Sequence, residues 1–176
     1  RCLVGSEMCI RDRYYLGYAL EQMRGTFYRQ VMFSEFELAI HEAVERGEAL
    51  TGSRMTQIYG EILKRYHGHD AGVMTITDRE MIEWAYIPHF YYNFYVYQYA
   101  TSIAGAAYFV DRLKSGSDTA RETYIKFLEA GGSAYPLDIL RSAGLDMTNR
   151  VPYDAVIDRM DAVMDEIELI LDARGS

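Results

Sequence analysis

Cysteine is almost missing from this 176-residue chain: only Cys2 and Cys9 occur, both near the N-terminus. That excludes a disulfide framework and a cysteine-built zinc site. Proline is nearly as sparse, and Pro88, Pro136 and Pro152 each fall at the edge of a helical pattern rather than inside one. No apolar run approaches the roughly 20 residues of a membrane span. The most apolar candidate, Ile103 to Val110, is too short. Basic residues are outnumbered, giving a net charge of −8, which argues against nucleic acid or an anionic membrane as partner. No internal repeat or low-complexity linker is present. The length suits one domain with a real core, or a piece of something larger. A soluble, cytoplasmic protein is the expectation.

Residues 1–13 stand apart. They show no clear helical or strand period and join abruptly to a long helical pattern. The string resembles the translated sequencing-adapter peptide that often caps open reading frames from metagenomic reads. A secretory signal is the rival, but its apolar segment is short and is interrupted by Ser6 and Glu7. Residues 1–13 are therefore expected to be a non-native leader, with the domain proper spanning 14–176.

From Tyr14 to Arg46 the spacing predicts one long helix. Its stripe is Leu16, Leu20, Met23, Phe27, Val31, Ser34 and Leu38, with Gly25 as a weak point and Gly47 as the C-cap. A second helix runs from about Ser53 to Tyr66, with Ile58, Ile62 and Tyr66 on one side and a stop at Gly68. Lys64 and Arg65 in its last turn suit the helix macrodipole. Thr77-Asp-Arg-Glu80 is a capping box opening a short helix to about Tyr86. Gly116 ends the helical pattern that precedes it, and Asp118 to Ala130 forms the next helix with Tyr124, Phe127 and Leu128 inward. Pro136 opens another to Ala143, and a last helix after Pro152 carries Val156, Met160, Val163, Ile167 and Ile170. The class is all-α, one compact set of packed helices.

The stretch Ile87-Pro-His-Phe-Tyr-Tyr-Asn-Phe-Tyr-Val-Tyr-Gln-Tyr-Ala100 is the most unusual. Pro88 biases Ile87 toward an extended conformation. Beyond it the aromatic pattern runs unbroken into Ala104, Ala106 and Phe109, too long for a strand, and predicts a helix. Such a helix has Tyr92, Tyr95, Tyr99, Ile103 and Ala106 on one face, and Phe90, Phe94, Tyr97 and Thr101 on the other. Phenol tips are costly to bury without partners. The segment is therefore either an unusually aromatic core or a wall of hydrogen-bond donors facing a cleft. His89 could donate or accept beside phenols that stabilise an oxyanion. The residues alone leave both readings open.

Other candidates are weaker. His41-Glu42 begins like the zinc-protease signature, but the second histidine would fall at position 45, which is Glu. Glu37, His41 and Glu45 share a helix face; such rows usually form a solvated or salt-bridged surface, and a metal site is the alternative. His67 and His69 flank Gly68 in a turn and read as a surface loop. Arg29, Glu35 and Glu37 lie among apolar residues and need partners. An ion-pair network between helices is the first reading, and support beneath an active site the second.

Three segments together resemble oligoendopeptidase F, a zinc metallopeptidase of the thimet-oligopeptidase-like family. They are Phe27-Tyr-Arg-Gln-Val-Met-Phe-Ser-Glu-Phe-Glu-Leu-Ala-Ile-His-Glu42, the stretch from Ile87 to Thr101, and Gly131-Gly-Ser-Ala-Tyr-Pro136 with Ala143-Gly-Leu-Asp146. The resemblance runs from about Tyr14 to the end. It implies the C-terminal part of a larger helical zinc-peptidase catalytic domain that cleaves internal bonds of oligopeptides in the cytoplasm. Family members hold zinc with His-Glu-x-x-His and a downstream Glu. This sequence lacks that motif, so metal, ligands and general base would lie in a missing N-terminal part of the same domain, and the chain as given is expected to be inactive. What remains would be the wall opposite the metal. His89 matches the family's substrate-stabilising histidine. Tyr99 is the first match for the tyrosine that polarises the scissile carbonyl, and Tyr95 the next. Tyr91 and Tyr92 would hold the peptide backbone, and His41 would be structural. Two rival readings are a non-enzymatic helical interaction module that buries the aromatic segment against a partner, and a metal carrier built on Glu37, His41 and Glu45.

Overall fold

The computed structural model describes residues 5–175, where all regular structure is helical. The elements are α1 (Gly5–Met23), a π-turn (Arg24–Tyr28), α2 (Arg29–Glu45), α3 (Gly52–Tyr66), α4 (Asp78–Met81), two 3-10 turns (Glu83–Tyr86 and Pro88–Tyr92), α5 (Tyr97–Lys114), α6 (Asp118–Ala130), α7 (Pro136–Ser142) and α8 (Val151–Gly175). The sequence reads as one compact set, yet the helices cluster in two. One unit spans Tyr28–Ala100; the other comprises the described residues up to Phe27 and those from Thr101 onward.

In the Tyr28–Ala100 unit, α2 and α3 pack against each other. Each ends as its sequence predicts. Gly47, at φ +80°, closes α2, its N–H donating to Val44 O and that of Glu48 to Ala43 O. Gly68, at φ +60°, closes α3 with the matching pair of bonds, to Arg65 O and, from His69 N–H, to Lys64 O. Left-handed glycine is the low-cost way to satisfy a helix's last carbonyls. The Thr77–Glu80 capping box is present as expected. The helix it opens is short: α4 ends at Met81, and the chain tightens into the Glu83–Tyr86 turn.

The core of this unit is Met32, Phe33, Phe36, Ala43, Ile58, Tyr59, Ile62, Leu63, Ile76 and Val96. Phe36 sits at its centre, edge-on to both Tyr59 and Phe90 at 5.1 Å. Burying such a ring contributes about 1.5–3 kcal/mol. Gly60 lets α4 approach, since a Cβ there would fall 2.3 Å from Met81 Cε.

The expected single helix over 14–46 is interrupted, and its stripe is displaced. α1 begins at Gly5, so part of the stretch without apparent period is helical; residues 1–4 lie outside the described residues. The π-turn at Arg24–Tyr28, which contains the weak point Gly25, inserts one residue into the ladder. Beyond Phe27 the inward positions advance accordingly. Met32, Phe33 and Phe36 are buried in place of the Val31–Ser34–Leu38 continuation, and Leu38 is half exposed.

In the second unit α1 packs against α8. The α8 stripe is as predicted, with Val156 and Val163 fully buried and Met160, Ile167 and Ile170 partly so. Tyr124 and Phe127 on α6 pack on Phe109, at 5.2 and 5.0 Å. Leu128 faces solvent instead of inward: it follows Phe127 directly, and neighbours in sequence diverge by about 100° around a helix. The Ala143-Gly-Leu-Asp146 segment is another left-handed glycine cap. Gly144, at φ +79°, turns the chain so that Leu145 is wholly buried.

Candidate active site

Ile87 is extended, at φ −95° and ψ 98°, and Pro88 opens the 3-10 turn as its fixed φ allows. Phe90 points into the core against Phe33 and Phe36. That anchor sends its neighbours outward, leaving Tyr91 77 % exposed and Tyr92 61 % exposed.

The predicted continuous helix fails at the next two residues. Asn93 and Phe94 both adopt positive φ, 52° and 59°. Asparagine tolerates this region, whereas for phenylalanine the Cβ meets the following carbonyl. Two residues of α2 meet this reversal. Glu37, buried to 1 % exposure, accepts the Phe94 N–H at 2.6 Å through Oε1. His41, one turn further on, stacks its ring on that of Phe94, with centroids 4.2 Å apart. Val96 is then buried completely, and α5 starts at Tyr97.

The reversal gathers three tyrosines around His89. Tyr95 lies flat against the imidazole, 5.7 Å between centroids with planes at 13°. Tyr92 and Tyr99 meet it edge-on at 6.1 and 5.9 Å. Tyr99 Oη lies 3.4 Å from His89 Nε2, at the long end of hydrogen-bond range. Which atom donates there depends on the imidazole tautomer. Tyr91 makes no contact with this cluster among the described ring pairs. Between core and wall, the segment divides by residue type: Phe90 and Val96 serve the core, while the phenol-bearing rings face outward.

The Tyr99 hydroxyl is held above the ordinary phenol range, first by its hydrogen bond with Tyr95 and then by partial desolvation. It therefore stays protonated at neutral pH and remains a donor. His89 and Tyr99 together offer one or two polar hydrogens to an oxygen acquiring negative charge beside them.

The turn preceding Pro88 is fixed separately. Glu83 accepts from Tyr59 Oη at 2.5 Å and pairs with Arg29. Glu35 pairs with Arg65. Arg29 and Glu35 thus form the predicted inter-element ion pairs. Glu37 does not: it serves a backbone amide. The signal in the sequence was Asn93, the residue of its neighbourhood best suited to left-handed backbone, and nothing local pointed from there to Glu37. His69, read as a surface residue, is partly buried and accepts the Ile76 N–H at 3.0 Å through Nδ1, tying the turn after α3.

Among the described residues there is no group of three or more His, Cys, Asp or Glu that could hold a metal ion. The Glu37–His41–Glu45 row does not fit one, since Glu37 and His41 are committed to Phe94 and Glu45 is exposed. Among them, too, no helix is long and apolar enough to cross a membrane.

The profile of Peptidase family M3 matches residues 13–159. The chain belongs to this family. It is 42 % identical to oligopeptidase PepF of Bacillus subtilis over 159 residues, covering 90 % of this chain and 23 % of that protein. Against an oligoendopeptidase F homolog of Lactococcus lactis it is 41 % identical over 157 residues, covering 89 % of this chain and 26 % of the relative. The crystal structure of oligoendopeptidase-F from Enterococcus faecium superposes with a TM-score of 0.83 at 31 % identity, over 92 % of this chain and 30 % of that one. The helical fold is thus that of an M3 peptidase, and the chain spans about a quarter of the length of the curated relatives it matches.

Proposed function

We propose that this chain is the C-terminal portion of a zinc-dependent oligoendopeptidase catalytic domain and supplies its oxyanion and substrate-binding wall. In this reading the substrate is an oligopeptide, hydrolysed in the cytoplasm at an internal bond. Zinc, its His-Glu-x-x-His ligands and the general base belong to the rest of the parent protein, so residues 14–176 alone are inactive, and residues 1–13 are a foreign leader. The observation that carries the proposal is the convergence of Tyr95 and Tyr99 on His89, with Tyr99 Oη 3.4 Å from Nε2.

Each side chain has a task. His89 and Tyr99 donate to the carbonyl oxygen as the carbon becomes tetrahedral. A phenol keeps its proton at neutral pH, and the upward direction of the Tyr99 shift is consistent with that. Tyr95 holds the imidazole plane and stands second as donor. Tyr91 and Tyr92, at the exposed crest of the turn, bind the peptide backbone.

The test uses the full-length protein that carries this chain. Tyr99→Phe and His89→Ala are expected to lower kcat about 10²–10³-fold, the usual loss for one oxyanion donor, with a smaller rise in KM. Wild-type turnover from both variants rejects the assignment.

A further inference from the structure

We infer that Glu37 is a positioning residue, whose buried carboxylate holds the left-handed pair Asn93–Phe94 and thereby sets Tyr95 and Tyr99 against His89. Its effect on turnover rests on the functional reading above; its hold on the backbone does not.

Four observations combine. Among the described residues Glu37 is the buried charged side chain, 1 % exposed. Its Oε1 takes the Phe94 N–H at 2.6 Å, while Oε2 has no hydrogen-bond partner among the described residues. Leaving a carboxylate in so apolar a place is unfavourable unless it makes an interaction that nothing else supplies. Phe94, at φ 59°, is a bulky residue in a region that such residues avoid, so the surroundings must over-determine its conformation. Finally, both side chains that grip Phe94 come from one face of one helix, since Glu37 and His41 are four residues apart on α2. A rigid helix therefore fixes both the amide and the ring of the same residue.

Phe94 is the joint of the site. His89 and Tyr92 precede it, Tyr95 and Tyr99 follow it, and the contacts of Tyr95 with His89 and with Tyr92 span it. Without Glu37, the amide N–H loses its acceptor and Phe94 can relax toward ordinary negative φ. Every residue beyond it then rotates away from the imidazole. An ångström of misplacement suffices for a loss of about 10²-fold in a reacting geometry.

The experiment compares Glu37→Ala, Glu37→Gln and Glu37→Asp with His89→Ala and Tyr99→Phe in the full-length protein, by steady-state kinetics and by hydrogen–deuterium exchange followed peptide by peptide. Glu37→Ala is expected to lose about 10–100-fold in kcat with little change in KM. Its exchange is expected to rise in peptides covering 90–96 and stay unchanged over α3. Glu37→Gln, whose Oε1 can accept the same N–H, is expected to recover most of both. If Glu37→Ala does not accumulate folded, Glu37→Asp carries the test: its carboxylate is withdrawn by one methylene and is expected to give the same local rise in exchange and a loss of kcat. Wild-type kcat in Glu37→Ala or Glu37→Asp, with His89→Ala and Tyr99→Phe impaired, overturns the inference alone. A rise in exchange spread evenly over the chain also overturns it, since Glu37 would then be an ordinary core residue. Wild-type turnover in His89→Ala and Tyr99→Phe rejects the functional reading, and exchange at 90–96 still decides whether Glu37 holds the turn.

Discussion

Tyr95 lies nearly parallel to His89, with ring planes 13° apart, while its hydroxyl bonds to that of Tyr99. One tyrosine thus orients the imidazole and raises the pKa of the neighbouring phenol. These two tasks use different parts of the side chain and can be separated.

Tyr95→Phe keeps the ring and removes the hydroxyl. In the full-length protein it should lower kcat less than Tyr99→Phe does, and it should move the Tyr99 pKa back toward the ordinary phenol value near 10. If Tyr99 donates as proposed, its raised pKa means that its own deprotonation should not limit kcat below about pH 10. A basic limb that starts lower should survive Tyr99→Phe unchanged. Its disappearance in that variant would show Tyr99 titrating in the neutral range, against the predicted direction. The profile of kcat between pH 6 and pH 10.5 decides this.

Alkaline stability tests the core of the Tyr28–Ala100 unit. Burial, followed by the Glu83 hydrogen bond, pushes the Tyr59 phenol well above its usual range. Tyr66 is raised to about 12, chiefly by burial and then by Glu35. A raised phenol pKa contributes nothing that varies below the unfolded value near 10, where both states are protonated. Above it the unfolded chain releases protons that the folded chain retains, so stability falls as pH rises from about 10 through 12. Tyr59→Phe should lessen that fall. At neutral pH it should cost about 1 kcal/mol, because Glu83 keeps Arg29 and is partly solvated. Urea denaturation at pH 7 and pH 10.5 measures both effects.

Metal content separates the fragment reading from a metal carrier. Elemental analysis of this chain after equilibration with zinc and desalting should find well under one zinc per molecule. Stoichiometric retained zinc would require ligands outside the roles assigned to Glu37 and His41, and would overturn the fragment account.

The parts of this molecule legible in its sequence are those governed by local chemistry. The Thr77–Glu80 capping box, the glycine closures at Gly47, Gly68 and Gly116, the extended Ile87 before Pro88, and the α8 stripe all depend on residues within a turn or two of one another. The misreadings share a different cause. An unbroken helical pattern over 14–46 hides the extra residue of the π-turn, which moves the buried face from Val31 and Leu38 to Met32, Phe33 and Phe36. The aromatic stretch keeps helical spacing across Asn93 and Phe94, but its conformation there is set by an acceptor 57 positions away in the sequence. Tyr92, Tyr95 and Tyr99 do share one side, as the helical spacing predicts, though a reversal and not a continuous helix assembles them. His89 stood out by type and setting, whereas Glu37 showed as a charge in need of a partner, with support beneath a site only its second reading.

α2 grips the aromatic segment at two points: Arg29 holds Glu83 ahead of Pro88, and Glu37 holds Phe94 behind it. Eight residues of helix separate the two grips, about 12 Å at 1.5 Å per residue. The span from 83 to 94 is thereby cut to a set length, and a residue inserted or deleted within it would have to be absorbed at one of the clamps. Substitution is a different matter. Tyr91, at the crest of the span and 77 % exposed, can be exchanged without disturbing either grip. Such a frame lets the crest of the strap vary in sequence while the imidazole beneath it keeps its place.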